Sequence, residues 1–203
     1  MVRIGVLGIQ GDVEEHVAAT KLALMEEKLE GEVVWVKNAE QFDAVDAIII
    51  PGGESTVIGW LMAFNRLLPR IRERVLGGMP ALGTCAGLIV LSKKAYDSVV
   101  GATSQPLIGA LDVTVERNTF GRQRESFEAD LDIPLLGPEP FRGVFIRAPA
   151  VTEVGPGVEV LCKLGDKIVG VKQRNVIGTA FHPELSGDLR LHRYFVRLVS
   201  GRH

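Results

Sequence analysis

The chain has 203 residues, with 23 Lys and Arg against 25 Asp and Glu for a formal charge of −2. This length supports one substantial core, so a single domain over residues 1–203 is expected, and the even charge balance argues against nucleic acid or an anionic membrane as partner. No apolar run approaches the roughly 20 residues of a membrane-spanning helix, the N-terminus lacks a signal-peptide pattern, and two cysteines are too few for a disulfide framework, so a cytoplasmic location is the expectation.

In chain order, Val2–Leu7 reads as a buried strand. Asp12 with Glu15 three residues on forms a capping pair that opens a helix from Val13 to about Lys28. The apolar positions Val17, Leu22, Leu24 and Leu29 fit one face of that helix only loosely. Glu32–Val36 is a second strand, and Ala47–Ile50 a third, without a polar residue, as for a strand covered on both faces. Pro51-Gly52-Gly53 ends it, and helices follow from about Thr56 and over Leu67–Leu76. A fourth strand, Pro80–Leu82, runs into Gly83-Thr84-Cys85-Ala86-Gly87, and Leu88–Leu91 begins another helix. This alternation predicts an α/β fold with an open, mostly parallel sheet flanked by helices. Further strands are expected at Leu111–Glu116, Gly143–Ile146, Glu159–Leu164, Lys167–Lys172 and Val176–Ala180, with a hairpin turn at Gly165-Asp166 and a last helix over Asp188–Leu198.

Gly83-Thr84-Cys85-Ala86-Gly87 has the Gly-x-nucleophile-x-Gly pattern of a nucleophile elbow. A sharp strand-to-helix turn brings the nucleophile against neighbouring backbone, so small residues must flank it. The following helix aims its first amides and positive dipole end at the sulfur, which favours the thiolate. The Ala86 amide is placed to stabilise an oxyanion. Cys162 has apolar and basic neighbours in a strand and reads as core.

A cysteine nucleophile needs a base that takes its proton and returns it to a leaving group. Of four histidines, His203 is terminal, His192 lies between Arg190 and Arg193 on an expected solvated face, and His16 reads as structural. His182 is distinct: it follows the apolar run Val176–Phe181 and is fixed by Pro183. Glu184, two residues on, lies on the same side of an extended segment and supplies the carboxylate that sets the tautomer. Pro51-Gly52-Gly53-Glu54-Ser55-Thr56 leaves the third strand where ligands bind in open parallel sheets. It offers a backbone amide, at Gly53, to an oxyanion. Arg117 and Arg147 each sit in an otherwise uncharged context, and either partners a substrate carboxylate or forms a structural ion pair.

Together these segments resemble a class I, triad-type glutamine amidotransferase. Arg117-Asn118-Thr119-Phe120-Gly121-Arg122-Gln123, Phe145-Ile146-Arg147-Ala148-Pro149 and the Gly53-Glu54-Ser55-Thr56 loop narrow the resemblance to the glutaminase subunits of pyridoxal 5′-phosphate synthase. The resemblance implies a flavodoxin-like sheet and hydrolysis of L-glutamine by Cys85, His182 and Glu184. It places glutamine contacts at Gly53, Glu54, Ser55, Arg117, Ile146 and Arg147, and the oxyanion amides at Gly53 and Ala86. It also implies a barrel-shaped synthase partner that receives the ammonia, with Gln10-Gly11 near that partner and the oxyanion loop. No cofactor and no metal are expected. The alternatives are a glutaminase for another synthase, such as one of histidine biosynthesis, and a non-catalytic regulatory module on the same fold.

Overall fold

The computed structural model describes residues 1–97, 99, 101–120 and 126–202. Gly121, Arg122 and Gln123 of the arginine-rich run, and His203, therefore lie outside the described residues. The elements of the first half are β1 (Val2–Leu7), α1 (Val13–Glu26), β2 (Gly31–Val36), α2 (Ala39–Asp43), β3 (Ala47–Ile50), α3 (Ser55–Phe64), α4 (Leu67–Leu76), β4 (Ala81–Thr84) and α5 (Ala86–Leu91). The second half adds β5 (Ser92–Asp97), β6 (Gly101–Ala102), β7 (Leu111–Arg117), β8 (Ser126–Leu131), β9 (Phe141–Ile146), β10 (Ala150–Val154), β11 (Glu159–Leu164), β12 (Lys167–Gln173), β13 (Val176–Thr179) and α6 (Arg190–Val199).

The main sheet runs β2-β1-β3-β4-β13-β12-β10-β7-β5-β6, with β11 on β12. From β2 to β13 every pairing is parallel. This is the expected open parallel sheet, and β3, β4 and β13 are buried along their whole length, as strands covered on both faces must be. Beyond β13 the sheet continues through antiparallel pairs, including the β11–β12 hairpin foreseen at Gly165-Asp166, except that β7 and β5 run parallel. Helix α1 packs on α6, and α3 packs on α4 and α5. No helix among the described residues is long and apolar enough to cross a membrane.

Three departures from the sequence reading have physical causes. Helix α5 stops at Leu91, and the next residue opens β5, whose pairing with β7 supplies the backbone hydrogen bonds that further helix would have supplied. The pair β8–β9 forms its own small sheet, closed by Phe127 stacked on Phe145 at 4.9 Å. His192 is fully buried rather than solvated. Its arginine neighbours at one and two positions along the helix project in other directions, so they say nothing about its face.

Candidate active site

Four loops meet at the carboxyl ends of adjacent parallel strands: residues 8–12 after β1, 51–54 after β3, the turn at Cys85 after β4, and 180–184 after β13. This is the ligand-binding edge of an open α/β sheet. A cavity of about 280 Å³ opens there, just below the roughly 300–1,000 Å³ usual for small-molecule sites.

Cys85 adopts φ 49°, ψ −104°, a left-handed conformation that costs an ordinary residue roughly 1–3 kcal/mol. The surrounding glycines permit it. A Cβ on Gly87 would stand 2.0 Å from the Ile50 carbonyl oxygen, and one on Gly83 would meet the Gly87 carbonyl at 2.6 Å. The Cys85 amide donates to the Thr179 carbonyl at 2.7 Å, tying the turn to β13. Its sulfur is 3.8 Å from the Ile146 carbonyl oxygen, and it lines one cavity with His182.

His182 is held from behind. Phe181 is buried among Phe141 and Phe145, and the His182 amide donates to the Val144 carbonyl at 2.8 Å. Nδ1 lies 2.7 Å from Glu184 Oε1. Glu184 reaches it from a 3-10 turn over Pro183–Leu185, not from the extended segment foreseen. Proline at the first position of that turn and an extended His182 fold the carboxylate back on the ring. A second carboxylate, Asp12, places Oδ2 3.2 Å from the same Nδ1. Asp12 stands at the N-cap of α1 as expected, but its side chain makes no capping bond.

Burial works most strongly against a charged His182 ring, yet hydrogen bonds to Asp12, Cys85 and Glu184 outweigh it and raise the pKa to about 12. The site thus stabilises an imidazolium. The hydrogen bond to His182 lowers the pKa of Asp12. Burial raises that of Glu184, whose side chain is fully enclosed. Asp12, His182 and Glu184 are also the one group among the described residues that could hold a metal ion. Both carboxylates face a single ring nitrogen, an arrangement that equally suits a proton on Nδ1.

Gly53, Glu54, Ser55, Ala86, Arg117, Ile146 and Arg147 all line the cavity with Cys85 and His182, whereas Glu184 lies behind the imidazole. The two arginines differ. Arg117 Nη2 pairs with Glu54 Oε1 at 2.8 Å, whereas Arg147, left-handed at φ 44° and exposed, forms no ion pair among the described residues. Ser55 donates to Gln105 at 3.2 Å. Glu54 caps α3, accepting from the Thr56 amide and hydroxyl.

The Glu54 amide donates to Gln10 Oε1 at 2.9 Å, and the same oxygen occupies the space where a Cβ on Gly53 would sit. A Cβ on Gly11 would meet the Gly52 carbonyl oxygen at 1.7 Å, so the loops after β1 and β3 touch backbone to backbone. Sequence reasoning missed Asp12 as a site residue, because an acidic residue opening a helix already has a sufficient explanation as a cap.

A family model for the SNO glutamine amidotransferase family matches residues 6–201. The chain belongs to the SNO glutamine amidotransferase family. The chain is 49% identical over 197 residues to the pyridoxal 5′-phosphate synthase subunit PdxT of Nitrosopumilus maritimus, covering 97% of this chain and 96% of that one. The PdxT of Pyrococcus horikoshii is 51% identical over 199 residues, covering 97% and 99%. A crystal structure described as a glutamine amidotransferase superposes with a TM-score of 0.84 at 46% identity, covering 97% of this chain and 98% of that one. The structure of PurLQS from Thermotoga maritima, at 17% identity and a TM-score of 0.67 over 100% and 99% of the two chains, shares the fold alone. Family membership agrees with the resemblance carried by the elbow, the Gly-Glu-Ser-Thr loop and Phe181-His182-Pro183-Glu184.

Proposed function

We propose that this chain is the glutaminase subunit of a pyridoxal 5′-phosphate synthase. In this reading Cys85 is the nucleophile, His182 the acid and base, and Glu184 the residue that holds the imidazole. The observation that carries the proposal is His182: it lines one cavity with Cys85, and its Nδ1 is 2.7 Å from a buried carboxylate.

The Cys85 thiolate attacks Cδ of glutamine, forming a C–S bond as the carbonyl electron pair moves to oxygen. Amides of Gly53 and Ala86 stabilise that oxyanion. Collapse expels the amine, which leaves as ammonia with the proton of the His182 imidazolium. Water then attacks the γ-glutamyl thioester, His182 takes its proton, and glutamate departs as the thiolate re-forms. Arg147, free of an internal ion pair among the described residues, meets the α-carboxylate of glutamine, while Glu54, braced by Arg117, faces its α-ammonium group. The ammonia passes to a barrel-shaped synthase subunit, where it enters the vitamin. Two unpaired cysteines suit a reducing cytoplasm.

Glutamate release from glutamine by the full chain, with and without the synthase subunit, tests the proposal. Cys85→Ala abolishes glutamine-dependent synthesis and leaves synthesis from added ammonia intact. Release of glutamate by that variant at the wild-type rate overturns the assignment. Removal of one oxyanion donor costs roughly 10²–10³ in rate, so activity rises when the synthase settles the Gly53 loop. Equal rates with and without it count against such gating.

A further inference from the structure

Behind the triad lies a buried polar row that the mechanism above does not use. His16 of α1 and His192 of α6 are both fully buried. His16 Nε2 is 3.2 Å from Glu184 Oε2 and 2.9 Å from Thr84 Oγ1, the hydroxyl of the residue before the nucleophile. His16 Nδ1 is 3.1 Å from His192 Nε2. His192 Nδ1 has no partner among the described residues.

These positions decide where the protons sit. Burial is the main cause that lowers the pKa of both rings, His16 far below 6.5 and His192 to about 4, so each is neutral and carries one N–H. Were His16 protonated on Nδ1, the lone pair of Nε2 would face a carboxylate oxygen. His192 would then have to accept at Nε2 and leave a buried N–H at Nδ1 without an acceptor. An orphaned buried donor costs roughly 1–3 kcal/mol. The opposite arrangement has neither fault. His192 Nε2–H donates to His16 Nδ1, and His16 Nε2–H donates to Thr84 Oγ1 with its positive end beside Glu184 Oε2. Acceptor lone pairs on His192 Nδ1 and Glu184 Oε2 are then left without a hydrogen bond.

We infer that His16 is a positioning residue for the reaction: its Nε2–H, fixed by His192 and Thr84, sets a positive dipole end against the second carboxylate oxygen of Glu184 and so keeps the first on His182. His16 is the ion-pair partner of that oxygen among the described residues, and no hydrogen bond reaches it there. The contact to Thr84 gives His16 a second grip, on the strand end that delivers Cys85. The row therefore references the base and the nucleophile to one rigid point between two packed helices. This inference rests on the proposed glutaminase mechanism and deepens it.

The test compares full-length His16→Gln, His16→Asn and His16→Phe with the wild type. Glutamine places an amide N–H where Nε2–H stands, and asparagine places one near Nδ1. Two measurements are made: glutaminase kinetics in the presence of the synthase subunit, and the downfield proton resonance of His182 Nδ1–H in the chain alone. The expectation is that His16→Asn and His16→Phe lower kcat roughly 10- to 100-fold, the scale for losing an outer hydrogen-bond partner of a functional histidine. KM stays within about twofold, and the resonance moves upfield or broadens. His16→Gln keeps most of kcat and the resonance. Equal impairment of the Gln and Asn variants, or a folded Asn variant with unchanged kcat and resonance, overturns the inference. Should the Phe variant fail to fold, the Gln and Asn pair decides alone. If the wild type releases no glutamate even with the synthase, the glutaminase reading falls, while the resonance still decides whether His16 orders the His182–Glu184 pair.

Discussion

Asp12 holds a carboxylate oxygen 3.2 Å from Nδ1 of His182, the ring nitrogen that Glu184 engages at 2.7 Å. Nδ1 carries one proton, and the shorter, fully buried contact with Glu184 sets its direction. Asp12, with a side chain 39% exposed, adds negative charge beside the ring. It is among the hydrogen bonds that raise the pKa of His182 to about 12 against burial. Asp12→Asn removes that contribution, so the imidazolium is lost at a lower pH. The alkaline limb of the kcat profile for glutamine should shift downward, while the acid limb stays in place. A pH–rate comparison of the two proteins measures it, and superimposable alkaline limbs count against a role for Asp12.

Gly52 sits against His182, the proposed base. A Cβ built there would lie 2.3 Å from Cε1 of His182 and 3.0 Å from Asp12 Oδ2. Gly52→Ala therefore displaces the imidazole relative to Cys85 without altering either residue chemically. A displacement near 1 Å costs on the order of 100-fold in rate. The expected result is a fall of that size in kcat, with the thermal unfolding midpoint changed little, because the ring borders a cavity into which it can move.

Arg147 is the exposed cation of the cavity without an internal ion pair among the described residues. A charge-assisted hydrogen bond contributes about 1.5–3 kcal/mol, which corresponds to roughly 10- to 100-fold in affinity. Arg147→Ala should raise KM for glutamine by that factor and change kcat little. Its effect should disappear with a glutamine analogue that lacks the α-carboxylate. An unchanged KM would assign the α-carboxylate to another group.

Acid should weaken the fold through His192. Burial lowers its pKa from 6.5 to about 4, so the unfolded chain binds the extra proton first. The stability contributed by keeping this ring neutral is complete above pH 6.5 and is lost as pH falls toward 4. At 1.36 kcal/mol per unit, the loss reaches roughly 3 kcal/mol. His16, also lowered by burial, acts in the same direction. Urea unfolding of the wild type and of His192→Phe at a series of pH values between 7 and 4 separates the contributions. The variant should show the shallower slope, whatever its stability at pH 7.

The parallel half of the sheet was legible because its signals are local. Ala47–Ile50 has no polar residue, and Gly83–Gly87 spaces small residues around a cysteine. The strands β5 and β8 were not legible. Ser92–Asp97 carries two lysines and an aspartate, and Ser126–Leu131 a glutamate and an aspartate. What makes them strands is pairing with distant segments. Helix α2 did leave a sign, an asparagine whose side chain accepts from the Gln41 amide at 2.9 Å, but five residues show no period. At the site, Cys85 and His182 each stand in a distinctive local pattern. Asp12, His16 and His192 do not, since their roles arise only when α1 packs on α6 beneath the loop after β13. A helical histidine flanked by arginines looks solvated until the opposite helix is in place.

The contact between Gly11 and Gly52 has a mechanical consequence. With a Cβ-sized gap missing between them, with the Asp12 amide on the Gly52 carbonyl at 3.3 Å, and with Gln10 accepting from Glu54, the two loops behave as one stiff lever. One arm ends at the amides beside the sulfur. The other borders a shallow surface groove that runs from Gly8 to Glu15 and includes Trp35. Pressure on that outer arm cannot be absorbed by side-chain give, since backbone meets backbone at the fulcrum, and so it must arrive inside as motion of the reaction centre.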